Sequence, residues 1–212
     1  MSAMFSLNGN AVVIKFSSAT NFGGVAVGNA EFSCAQLLII DSTEAILCKW
    51  TDKATLQISL FSFKSIAAGD TIVLLGDKIK ADCVADDCSE WLALNRSSIS
   101  VFLPSPVTVP TLSLVAPRYL GSCNDLFVDI SPSSGSLGRN WSSVEFSRIS
   151  SSDSLSKLIK LQNILNSFSP NDFRKPVQIP RGYWLGDGHE YIFSVKVCNF
   201  MNGCAQRPWV LT

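Results

Sequence analysis

The sequence predicts a mainly β protein built as two tandem antiparallel β-sandwiches, residues 1–106 and 107–212, with one short helix in the second. Three observations predict it. Strand-length apolar runs recur along both halves, several with apolar and polar residues in strict alternation. Gly9-Asn10, Gly23-Gly24, Gly69-Asp70 and Gly76-Asp77 punctuate the first half between runs. Leu103–Thr111 carries Pro104, Pro106 and Pro110, which hold the backbone extended and forbid helix on their N-terminal sides. That stretch divides the 212 residues into near-equal halves, each of ordinary domain size.

In the first half the expected strands are Ala11–Phe16, Ala54–Leu60, Thr71–Leu75 and Ile99–Leu103. Leu56, Ile58 and Leu60 alternate with Thr55, Gln57 and Ser59, the pattern of a half-buried strand. Leu37–Ile40, Asp41–Glu44 and Ala45–Leu47 read as strand, turn and strand, a hairpin flanked by Cys34 and Cys48. The second half offers Thr111–Val115, Leu126–Ile130, Val144–Arg148, Pro176–Ile179 and Tyr191–Val197, followed by a turn at Asn199–Gly203 into a last strand. Between them, Leu155, Leu158, Leu161, Leu165 and Phe168 recur three or four apart. This predicts a short amphipathic helix over 154–168, capped by Asp153 or Ser154 and ended by Pro170. Asp187 stands four residues before Tyr191, the spacing of a tyrosine corner, which points to an immunoglobulin- or fibronectin III-like sandwich.

Composition excludes several functions. Seventeen basic residues balance seventeen acidic ones, so the chain lacks the clustered positive charge of a nucleic-acid binder. No apolar run approaches the ~18 residues of a membrane span, so membrane insertion is not expected. Nor do Met1–Gly9 show the basic and apolar regions of a signal peptide. One histidine, His189, excludes any site needing two imidazoles.

Seven cysteines, at 34, 48, 83, 88, 123, 198 and 204, include no Cys-x-x-Cys pair, and none has a histidine nearby, which argues against zinc. Cys83 with Cys88 and Cys198 with Cys204 suit short disulfide loops, and Cys34 with Cys48 suits a bridge across the expected hairpin. Cys123 is then left unpaired at the start of its strand, with a link to Cys198 as the rival arrangement. Disulfides imply an oxidising compartment. The sequons Asn95-Arg-Ser97 and Asn140-Trp-Ser142 lean the same way. Together they predict a disulfide-bonded extracellular or cell-surface glycoprotein segment.

Cys123, Asp125-Leu126, Asp129, Ser131, Ser133-Ser-Gly-Ser136 and Gly138-Arg139 resemble the core motif of the receptor-for-egg-jelly (REJ) module. That module belongs to the extracellular part of polycystin-1-like proteins and of many algal and protist surface proteins. The likeness continues through Tyr191–Val195 and Asn199-Phe200. In the first half Cys34, Cys48-Lys-Trp50, Leu56-Gln-Ile58 and Ala68-Gly-Asp70 are similar to the region that precedes the motif in algal and protist members. Departures are Val144-Glu-Phe146, where the family tends to have Trp-x-Val, Leu137 within the glycine-serine run, and the added Cys198 and Cys204. The resemblance implies an ectodomain module of a larger protein, engaged in adhesion, ligand recognition or spacing. Its partners would be other domains of the parent and an extracellular protein or glycan. Neither the autoproteolysis nor the channel activity of full polycystins carries over.

Chemistry is sparse. The Ser-Ser-Gly-Ser-x-Gly run could cradle an anion, but no Lys-Ser/Thr ending or helix follows, and a turn capped by Asp129 is expected instead. Asp187 and His189 could form a hydrolytic pair, yet no Gly-x-Ser-x-Gly elbow accompanies them, so the chain is not expected to be an enzyme or to need a cofactor. Asp82, Asp86 and Asp87, with Glu90, could ligate calcium, but the order of an EF-hand is missing and a solvated loop is expected. Trp91, Trp141 and Trp184 lie in loop-like sequence and are the candidate ligand contacts of an alternative reading, a carbohydrate-binding or cell-wall matrix protein. Trp50, beside Cys48, is expected to pack against a disulfide.

Overall fold

A computed structural model describes residues 1–25, 30–41, 46–60, 66–83, 91–121, 123–151, 155–181, 183 and 190–212, with only the backbone at 148–151 and 155–158. The protein is mainly β, and the chain forms two compact units, Met1–Val107 and Thr108–Thr212.

The first unit holds β1 (Ser2–Phe5), β2 (Ala11–Lys15), β3 (Phe32–Ser33), β4 (Leu38–Ile39), β5 (Leu47–Asp52), β6 (Thr55–Ser59), β7 (Thr71–Leu74) and β8 (Ser97–Phe102). They form one eight-stranded sheet in the order β3-β5-β6-β2-β1-β8-β7-β4. β1 runs antiparallel to β2 and parallel to β8, with Ala3 opposite both Ile14 and Val101. The sheet must curl. Its outermost strands, β3 and β4, would lie about 34 Å apart if it were flat, yet only Cys34–Leu37 separates them in sequence, a reach of about 18 Å at most. The concave face follows the period-2 alternation, burying Ala3, Phe5, Val12, Ile14, Leu56, Ile58, Ile72, Leu74 and Val101. Cys48 and Trp50 join them, and the Trp50 ring lies 5.5 Å from both Phe16 and Phe22.

Residues 37–47 do not make a hairpin: β4 pairs with β7 through Leu38 and Leu74, while β5 pairs with β3 and β6. The 3-10 turn Cys34–Gln36 carries the chain from one edge of the sheet to the other. Local alternation in this stretch marks strands but says nothing about which distant strand each one meets.

The second unit holds β9 (Leu126–Val128), β10 (Ser143–Ser151), α1 (Leu155–Leu165), β11 (Val177–Ile179), β12 (Tyr191–Cys198) and β13 (Cys204–Leu211). β10, β12 and β13 form one antiparallel sheet, and β9 pairs antiparallel with β11. The segment 111–115, expected as a strand, is joined only by single bridges, Thr111 to Ser134 and Val115 to Asp129. Beyond Pro117 the same segment changes partner: the Thr212 amide donates to Arg118 O at 2.7 Å and the Leu120 amide to Thr212 O at 2.9 Å. Leu126, Val128 and Ile130 share one core with Phe146, Phe193, Val195 and Trp209 of the other sheet, closed by Leu161, Leu165 and Phe173. The Phe193 and Trp209 rings stack with centroids 5.6 Å apart.

The helix is shorter than its apolar spacing predicts. Asn166 directs its amide at β10 instead, accepting from the Phe146 amide at 2.8 Å and donating to Phe146 O at 3.0 Å. The helix ends at Leu165, and the Ser167 amide closes a last turn on Ile164 O at 3.0 Å. Asp153 and Ser154, the expected caps, lie outside the described residues. Tyr191 opens β12 fully buried, while Asp187 of the expected tyrosine corner also lies outside them.

Candidate functional site

The loop after β9 is built residue by residue around hydrogen bonds. Asp129 Oδ1 accepts from the Ser131 amide at 2.8 Å, so the carboxylate caps the turn as its sequence suggests. Ser133 Oγ donates to Ser113 O and accepts from the Ser113 amide, both at 3.0 Å, which pins the loop to the first segment of the unit. Gly135 has φ +92°, and a Cβ there would sit 2.8 Å from Pro110 Cα, so this position needs glycine twice over.

The buried amide of Asn199 holds the loop from beneath. Its Nδ2 donates to Thr108 O at 2.9 Å and to Gly135 O at 3.1 Å. Its Oδ1 accepts from the Met201 and Gly203 amides, both at 3.0 Å. One side chain thus ties three segments together: the start of the unit, the serine-glycine loop and the β12–β13 turn. That turn is also closed by the Cys198–Cys204 disulfide, with Cα atoms 4.1 Å apart.

Above the loop lies a cleft of about 300 Å³ whose polar lining includes Ser133, Ser136, Arg139, Asn140 and Arg174, with Trp141 as an aromatic wall. The Arg139 guanidinium stacks 3.8 Å over the Phe200 ring, and its partial burial lowers its pKa from the ordinary arginine value. Arg174 arrives on the 3-10 turn Asp172–Arg174, where Asp172 Oδ2 accepts from the Ser169 amide at 2.7 Å and Phe173 anchors the turn in the core. Arg174 Nη2 donates to Asn140 Oδ1. Two arginines therefore line one cleft, and no carboxylate is among the described residues lining it. A larger cleft of about 500 Å³ beside β13 mixes Glu190 with Arg118 and Arg207 and has no such charge bias.

The other candidate residues are placed as follows. Cys34 and Cys48 are bonded, with Cα atoms 5.0 Å apart, and Cys83 is also disulfide-bonded. Its expected partner Cys88 lies outside the described residues, as do Asp86, Asp87, Trp184, Asp187 and His189. Cys123 is free and exposed. Asp82 receives the Lys53 ammonium at 2.6 Å, which commits the described member of the acidic group to an ion pair. Asn95 and Asn140 are exposed. Trp91 and Trp141 are half-buried, and Trp141 packs against the core. Trp50 donates from Nε1 to Phe22 O at 3.0 Å. The sequence reading missed Arg174 and the role of Asn199. An Asn one residue inside a cysteine-closed turn was the available signal for the second; nothing in its neighbourhood marked the first.

No protein-family model matches the chain, and no curated protein matches its sequence.

Proposed function

We propose that the chain is a pair of non-catalytic, immunoglobulin-like sandwich modules from an extracellular or cell-surface protein, serving adhesion or ligand recognition. Disulfide placement carries the reading: Cys34–Cys48 closes within the first unit and Cys198–Cys204 within the second. Such bridges form and persist mainly where the surroundings are oxidising. Strand pairing supports the sandwich assignment. In the second unit β9 pairs with β11 beside the bridged segment 111–115, while β10, β12 and β13 form a separate sheet, a grouping that fits an immunoglobulin-type sandwich. In the first unit β1 joins the group β2-β6-β5-β3 to the group β8-β7-β4, as a first strand shared between two layers would. The resemblance of residues 123–139 and of Asn199-Phe200 to the REJ module supports an ectodomain origin, and Gly135 and Asn199, both within that likeness, are residues the loop depends on.

Cys123 gives the experiment. Intact cells carrying the native protein are treated with a membrane-impermeant maleimide, and the Cys123 peptide is measured before and after permeabilisation. Labelling on intact cells is expected. Labelling only after permeabilisation would overturn the extracellular assignment.

A further inference from the structure

We infer that the cleft over the serine-glycine loop binds an acidic sugar, a single pyranose ring bearing a carboxylate, as one unit of an extracellular glycan. The inference rests on the recognition-module reading and names the ligand class for its site. Charge is the first ground. The chain as a whole is neutral, yet Arg139 and Arg174 reach one concave surface with no acidic residue among the described lining. Guanidinium forks match carboxylates geometrically, and a half-buried guanidinium gains more from an anion than a solvated one does. Arg139 is in that state, partly desolvated over Phe200.

Lining chemistry is the second ground. Ser131 and Ser136 supply hydroxyl donors and acceptors of the kind sugar hydroxyls need, and Trp141 supplies an apolar wall for a ring face. Size is the third. At about 300 Å³ the cleft is at the small end of ligand sites, which run from about 300 to 1,000 Å³. It takes one ring, with the rest of the chain left in solvent. Rigidity is the fourth: Ser133, Asn199 and Gly135 hold the loop in place before any ligand arrives, so little ordering cost remains.

Trigalacturonate is the probe, titrated calorimetrically into the native, unreduced chain, with neutral galactotriose and hexaglutamate as comparisons. Saturable binding of trigalacturonate, with neither comparison bound as tightly, is expected. Arg174 is exposed, so Arg174→Gln leaves the fold intact and should weaken trigalacturonate by about tenfold or more, the loss of one charge-assisted hydrogen bond. No binding of trigalacturonate, equal binding of galactotriose or hexaglutamate, or unchanged affinity in Arg174→Gln would each overturn the inference. The same sample is peptide-mapped without reduction. Absent disulfides would sink the module reading, whereas intact disulfides without binding would remove the ligand assignment alone.

Discussion

Replacing Asn199 by Ala removes four hydrogen bonds at once, those to the Thr108 and Gly135 carbonyls and from the Met201 and Gly203 amides. Each such bond contributes about 0.5–1.5 kcal/mol net, and buried groups left without a partner cost more than the average, so the loss should be about 2–6 kcal/mol. Hydrogen exchange at the β12 amides isolates the second unit from the first. Exchange there should accelerate by about 30-fold or more if it proceeds through unfolding of that unit. Asn199→Asp sharpens the test. The acid keeps the acceptor for Met201 and Gly203 but, when ionised, turns an oxygen on the Thr108 and Gly135 carbonyls. Burial and that repulsion raise its folded-state pKa above the unfolded value. Its stabilising contribution is therefore present below the unfolded pKa and lost as pH rises through the folded one, so this variant should be more stable at pH 4 than at pH 7. A cost under about 1 kcal/mol for Asn199→Ala, or an Asp variant insensitive to pH, would refute the clasp.

Gly203→Ala should destabilise the second unit, because a Cβ there would lie 2.1 Å from Thr108 O, a backbone atom that cannot move aside cheaply; a drop in urea midpoint checks it. Paired Cys34→Ser and Cys48→Ser substitutions should lower the stability of the first unit by about 2–4 kcal/mol in chemical denaturation. Asp125 and Asp52 titrate below the ordinary 3.8, Asp125 because the Arg181 amide and Gln178 Nε2 donate to it, Asp52 because the Ala54 amide does. Their contributions are present above the unfolded pKa and are lost as pH falls through the lowered folded values. NMR titration should place both carboxyl midpoints under 3.8.

Strands with one wet face were legible in the sequence. Leu56 and Ile58 are buried and Gln57 is not, and Tyr191, Phe193, Val195 and Val197 line the second core along a single strand. Partners were not legible, because pairing depends on residues far apart. Ser2–Phe5 is too short to announce itself and gains strand geometry from Val12–Lys15 and from Val101 and Phe102. β13 carries Gln206, Arg207 and Pro208, polar and proline residues that suit a sheet edge and blur a strand pattern. The same limit governs the site. Asp129 capping Ser131 is a contact two residues long, readable from spacing. Asn199 reaching Thr108 spans 91 positions, and Arg174 reaching Asn140 spans 34, with α1 between them.

Each unit carries a disulfide within itself, Cys34–Cys48 in the first and Cys198–Cys204 in the second. A non-reducing peptide map of the native protein, alkylated before digestion, tests it most directly. Cys34 linked to Cys48, Cys198 linked to Cys204, Cys83 protected and Cys123 alkylated is the predicted result. Alkyl label on Cys34, Cys48, Cys198 or Cys204, or a bridge from Cys123 to Cys198, would contradict it.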